Sequence, residues 1–187
     1  DLASRVMIGQ KLKDLGYGTG LYKTPPYCAV KVPVFSFEKL TDANSYLSPE
    51  MKSTGEVLGI GKDMAEALFK GLVSSGIRLP HPGEETGVLL SVDEYDYFEV
   101  LALARKFSDL GCRLYATSGT AAAISTLGIP VQTVEDIHEM SATAALLESG
   151  AIHYIVYTGA LLDSTLDDYI ALHRKALLLN IACLTSL

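Results

Sequence analysis

The feature that most constrains this chain is the regular alternation that sets in after residue 86. Short apolar runs at 87–92, 113–116, 131–134, 152–157 and 180–184 are separated by amphipathic stretches of helical length at 97–110, 120–127, 141–148 and 169–178. Three of those four stretches run into a glycine, Gly111, Gly128 or Gly150, the residue best suited to end a helix. Strands that alternate with helices pair in parallel, because only a crossover of this length returns the chain to the same edge of a sheet. Such strands lie between two helical layers, which explains why they are apolar throughout rather than alternating. Residues 87–187 are therefore predicted to form an α/β domain, an open, doubly wound, Rossmann-type parallel sheet. Its ligands belong beyond the carboxyl ends of the strands.

The first 80 residues have a different texture. Leu2, Val6, Leu12 and Leu15 recur at helical spacing over 2–15, with no capping residue upstream, which reads as a cut edge. Gly16, Gly18 and Gly20 follow a helix rather than a strand and are read as a turn, not a nucleotide loop. Residues 28–37 read as a strand interrupted by Pro33, 41–55 as polar and turn-rich, and 64–72 as an amphipathic helix ending near Gly76. Arg78 to Glu85, with two prolines, a glycine and no periodicity, is the best linker. The expected organisation is an incomplete α+β unit at 1–80, a linker at 81–86 and the doubly wound domain at 87–187.

Of the 187 residues 49% are hydrophobic and 20% charged, enough to build a core. The formal charge is −7 with Lys and Arg scattered, which argues against nucleic acid, since a phosphate backbone needs a positive stripe. No apolar run approaches the roughly 20 residues of a membrane span, so a cytoplasmic protein is expected. Cys28, Cys112 and Cys183 are far apart and read as reduced, buried thiols, and the four histidines show no metal-ligand spacing. No metal site and no catalytic residue is expected.

The most informative segment is Thr117-Ser118-Gly119-Thr120, where a strand passes through a tight turn directly into a helix. Uncapped N–H groups and hydroxyls at such a point form a cradle for phosphate or carboxylate. An ordinary helix cap would use the same residue types. His138-Glu139 and His173-Arg174-Lys175 lack a nucleophile to serve and read as surface groups. Asp163, Asp167 and Asp168 read as helix caps that could also hold a cation or an amine. Ser53-Thr54-Gly55-Glu56 fits either a capping box or a polar turn.

Two stretches resemble a known family. Pro49-Glu50-Met51-Lys52-Ser53-Thr54-Gly55-Glu56-Val57-Leu58-Gly59-Ile60-Gly61 is similar to a signature near the end of the synthetase half of the carbamoyl phosphate synthetase large chain, and Ser4 to Gly9, Pro25-Pro26-Tyr27 and Val30-Lys31 match the segment before it. Leu89 to Val92, Ala116-Thr117 and Gly119-Thr120 resemble the methylglyoxal-synthase-like regulatory domain that follows. The resemblance implies the end of a second ATP-grasp unit followed by a regulatory domain. It implies a full-length ligase that makes carbamoyl phosphate from bicarbonate, ATP and ammonia supplied by a glutaminase small subunit. ATP, Mg²⁺ or Mn²⁺, and K⁺ as a further candidate, are implied for the whole protein and none for these residues, so the piece alone should be inactive.

In the family the threonine turn binds UMP or IMP, which assigns an effector anion to Thr117, Ser118, Gly119 and Thr120. The family's lysines fall at Tyr97 and near Asp136 and its asparagine at Tyr157; its ornithine-binding acidic position falls at Val32 and its Tyr-Asp-Thr run at Ala182-Cys183-Leu184. Weakened UMP, IMP and ornithine sites follow. Two other readings remain at this level: a methylglyoxal synthase, and a purely structural module for homo-oligomer assembly.

Overall fold

The computed structural model describes residues 1–36, 50–78, 84–135, 140–158 and 166–187. In the first part, the expected long helix is two short pieces, α1 (Leu2–Met7) and a 3₁₀ turn at Leu12–Leu15. Gly9, at φ 95°, ends the first piece, since a left-handed residue cannot continue a right-handed helix. Neither piece buries a residue. Gly16, Gly18 and Gly20 all have positive φ, in keeping with a turn.

Strand β1 (Cys28–Val34) pairs antiparallel with β2 (Gly55–Gly61), Val30 opposite Gly59. Pro33 is tolerated because both strands of a two-stranded sheet are edges. Helix α2 (Met64–Ser74) lies across the pair, and its N-terminus is capped by Asp63, whose carboxylate accepts from the Glu66 N–H at 2.9 Å. The contact is made through glycine. A Cβ at Gly59 would meet the Ala67 carbonyl oxygen at 2.0 Å, and one at Gly61 the Ala67 nitrogen at 2.5 Å. Backbone therefore packs on backbone, while Leu58 and Ile60 point outward, 59% and 45% exposed.

The second part is the predicted parallel sheet. Its strands are β3 (Gly87–Ser91), β4 (Arg113–Thr117), β5 (Val131–Val134), β6 (Tyr154–Tyr157) and β7 (Ala182–Leu184), in the order β5-β4-β3-β6-β7. The helices are α3 (Tyr97–Asp109), α4 (Ser118–Ser125), α5 (Met140–Glu148) and α6 (Leu166–Leu178). All four strand pairs are parallel. The sheet is apolar on both faces: Leu89, Tyr115, Ile155 and Tyr157 share one core with Leu147 of α5 and Leu172 of α6. Val88, Leu90, Ala116 and Val156 share the other with Val100 of α3 and Ile124 of α4.

Several boundaries differ from expectation, among them the start of β6 at Tyr154 rather than Ile152. Helix α4 begins at Ser118, two residues early, because the turn is itself the first helical turn. Helix α6 begins at Leu166, so Asp167 and Asp168 lie within its first turn, where carboxylates offset the positive helix end, rather than preceding it. Residues 180 and 181 precede β7, since Asn180 takes a left-handed φ of 55°. Asp136, His138, Glu139 and Asp163 lie outside the described residues, as do 79–83 of the expected linker.

Candidate functional site

The sheet order reverses at β3: the chain passes outward through β4 and β5, then crosses to the other side of β3 to form β6. The carboxyl ends of β3 and β6, Ser91 beside Tyr157, thus lie at the switch point where such folds open a crevice. Thr117 ends the neighbouring β4 and is the first residue before α4.

The four residues of the turn divide into two kinds. Thr117 and Thr120 are buried, Thr120 to 1% exposure, whereas Ser118 and Gly119 are exposed. The Thr117 hydroxyl donates to Ser91 Oγ at 3.2 Å and lies 3.4 Å from Thr120 Oγ1. Thr120 Oγ1 in turn accepts from the Val92 N–H at 3.1 Å. Neither hydroxyl is spent on capping, and the Thr117 side chain makes no capping bond to α4. The ordinary-cap reading of this threonine therefore does not describe its side chain. What the hydroxyls do is hold the loop that leaves β3.

That loop is held from the other side as well. The Asp93 N–H donates to Thr158 Oγ1 at 3.0 Å, and the Thr158 N–H to the Ser91 carbonyl at 3.2 Å. Ser91 and Thr158 were not singled out from the sequence. Their signal was position, each being a hydroxyl residue at the carboxyl end of a buried parallel strand. The loop then enters a 3₁₀ turn at Glu94–Asp96 whose first residue is preceded by Asp93, and Glu99 follows in the first turn of α3. The stretch from Asp93 to Glu99 thus carries four carboxylates. Tyr97, which opens α3, packs its ring on the core and brings its hydroxyl to Gly119.

A second concavity of about 860 Å³ is lined by Val32, Phe35, Cys183 and Leu184, together with Arg78, Glu84, Glu148 and His173. Its carboxylates have partners: Glu84 lies 2.7 Å from Arg78, and Glu148 is paired with Lys175. Burial pushes the Cys183 thiol up to about 12, which keeps it protonated at neutral pH, and raises that of Cys112 as well. All three cysteines are free.

His173, read from the sequence as a surface group, is instead half-buried and stacked, and His153 is bonded to the start of β3. His153 Nδ1 accepts from the Gly87 N–H at 3.1 Å. His173 stacks on Tyr169, centroids 5.4 Å apart, and Tyr169 on Tyr157 at 5.6 Å. Burial lowers the His173 pKa. A histidine that is harder to protonate when folded contributes stability in full above its unfolded pKa and loses it as pH falls below about 6.5. The melting temperature is expected to drop between pH 7 and pH 5. In His173→Phe, which keeps the stack, that drop should be shallower by up to about one proton taken up on unfolding; identical pH slopes in melts of the two proteins would refute this.

The fold is that of an α/β domain, and residues 99–185 match the family model described as the MGS-like domain. The whole chain carries a more particular likeness. It is similar to the C-terminal, MGS-like part of the carbamoyl phosphate synthase large chain. It is 40% identical over 188 residues to that of Clostridium perfringens (strain 13 / Type A), 42% over 189 to that of Lachnoclostridium phytofermentans and 38% over 189 to that of Clostridium beijerinckii. In each case all of this chain aligns, to 17% of the relative's length. Among solved structures, methylglyoxal synthase from Elizabethkingia anophelis NUHP1 superposes with a TM-score of 0.44 and 13% identity, covering 55% of this chain and 72% of that one. No helix among the described residues is long and apolar enough to cross a membrane.

Proposed function

We propose that this chain is the regulatory, carboxy-terminal part of a cytoplasmic carbamoyl phosphate synthase large subunit, serving arginine and pyrimidine synthesis. The observation that carries the reading is identity near 40% along the full 187 residues, through both the glycine-packed first part and the parallel sheet. Residues 1–80 are then the end of a second ATP-grasp unit, 81–86 a linker and 87–187 the regulatory domain. Chemistry belongs to the whole protein, in which ATP with Mg²⁺ or Mn²⁺, and K⁺, would bind to residues outside this chain, and ammonia would come from the glutaminase small subunit. A methylglyoxal synthase is less supported, because the catalytic Gly-Gly-Asp segment has no counterpart in 137–143 and the first 80 residues would be unexplained.

Effector sites are weakened in this reading. At the turn, α4 offers N–H groups, but Tyr97 and Asp136 stand where the family has lysines, and the loop from β3 to α3 adds the carboxylates of Asp93, Glu94, Asp96 and Glu99. At the second concavity, an amino acid's ammonium would meet Val32 and Cys183 where it needs carboxylates, and Glu84 and Glu148 already have cations. The test uses the full-length large subunit with its glutaminase. Carbamoyl phosphate trapped from labelled bicarbonate, glutamine and ATP should form, with less than about a twofold response to UMP, IMP or ornithine, and the 187-residue chain alone should form none. Turnover by the chain alone, or none by the holoenzyme, would defeat the assignment. For the chain itself UMP is expected to bind with Kd no tighter than about 1 mM, and Thr117→Ala with Thr120→Ala should remove that binding.

A further inference from the structure

We infer that the outer face of α3 is a self-association surface, on which a second copy of this chain pairs antiparallel with the first. Tyr95, Phe98, Ala102 and Arg105, spaced alternately by three and four residues, are all exposed along that face. This is the repeat by which one helix lies along another. The opposite face of α3 already serves the fold, through Val100 and Ala104, both buried, and through Leu103 and Phe107 packed on the same core. Phe98 has no part in that core: it is 86% exposed, and Tyr95, in the 3₁₀ turn that leads into the helix, is 89% exposed. A lone exposed apolar residue is ordinary, but two aromatic rings one turn apart on one face form a patch that water solvates poorly.

Charge along the helix names the occupant. Glu99 lies in the first turn and Lys106 in the last, with Arg105 beside it. None of the three forms an ion pair among the described residues. A parallel copy would set like charge against like. An antiparallel copy, related by a two-fold axis at Ala102, sets Glu99 of each helix beside Lys106 of the other and Phe98 over the guanidinium of Arg105. The small side chain of Ala102 at the axis lets the two helices approach closely. Each contact occurs twice, so the face is complementary to itself.

A helix of 13 residues is about 20 Å long, so a pair of them makes a small interface and a weak dimer. Sedimentation equilibrium of the 187-residue chain from about 10 µM to about 1 mM is expected to show a monomer–dimer equilibrium with Kd on the order of 100 µM. Phe98→Ala should weaken it at least about tenfold. Glu99→Lys should do the same, and so should Arg105→Glu with Lys106→Glu, because each variant alone brings like charges together across the axis. Mixed in equal amounts, these two charge variants should associate with each other at about the wild-type Kd, since opposite charges then meet on both sides of the axis. The substituted side chains are exposed, so every variant should keep the wild-type melting temperature within about 2 °C. A wild type that stays monomeric throughout would overturn the inference and leave the face to a different protein surface. So would a dimer that withstands all three variants, which would place the contact elsewhere on the molecule. Loss of the dimer in both charge variants without recovery on mixing would overturn the antiparallel pairing itself.

Discussion

Gly59→Ala is expected to detach α2 from the β1–β2 pair and leave the parallel sheet standing. The added methyl would lie 2.0 Å from the Ala67 carbonyl oxygen, 2.5 Å from the Gly71 nitrogen and 3.0 Å from its Cα. All three are backbone atoms of one helix, so no rotamer change can relieve the overlap and the helix must lift. Overpacking of this kind costs about 3 kcal/mol, which corresponds to about a hundredfold rise in the opened population. The free cysteines make the result local: Cys28 lies in β1, whereas Cys112 and Cys183 pack against the parallel sheet. Thiol labelling read by mass spectrometry should show Cys28 reacting about a hundredfold faster, with Cys112 and Cys183 at their wild-type rates. Equal acceleration of all three would mean that the two parts open as one unit and that the proposed boundary at 81–86 is not a boundary in energy.

Gly87→Ala is expected to do the converse, and more severely. Its Cβ would fall 1.8 Å from the Ala151 carbonyl oxygen, at the start of the central strand. The same residue bonds across to the β6 side twice, its N–H donating to His153 Nδ1 at 3.1 Å and its carbonyl accepting from the His153 N–H at 2.8 Å. Moving β3 to make room breaks both bonds and shifts Leu89 and Leu90, each fully buried, in the two cores they join. The loss should be at least about 3 kcal/mol, a large share of the 5–15 kcal/mol typical of a domain. The melting temperature of the sheet should fall by at least about 10 °C. Cys112 and Cys183 should become reactive before Cys28. A variant with the wild-type melting curve would show that β3 and residue 151 are not held in this register.

The parallel sheet was legible because its physics is written in composition: strands buried on both faces must be apolar throughout, as Val88 to Leu90 and Tyr154 to Tyr157 are. Strand β2 was not, for the opposite reason. Its buried face is Gly59 and Gly61 while Leu58 and Ile60 face outward, so hydrophobic alternation points to the wrong side. The long first helix failed through one glycine, Gly9, whose left-handed φ outweighs the spacing of Leu2, Val6 and Leu12. At the turn, the sequence located Thr117 to Thr120 but could not say where the hydroxyls aim. They aim inward, to Ser91 and Val92, because those residues arrive from a strand 26 positions or more away in the chain. Tyr97 was visible only as a residue standing where a cation would help; its seat over Gly119 depends on how α3 and α4 meet.

The strand order also sets a sequence of events in time. Strands β3, β4 and β5 pair with their successive neighbours, whereas Gly87 and His153, bonded across β3 and β6, are 66 residues apart. Each doubling of a closed loop adds only about 0.6 kcal/mol, but contacts of long range are met late by a diffusing chain. The seam between β3 and β6 is therefore expected to close last in refolding and, with few local contacts to guide it, to govern the rate. That seam is also the crevice at which the threonine turn and Thr158 converge, so a molecule lodged there would act as a late fastener, slowing the unfolding rate far more than it quickens folding.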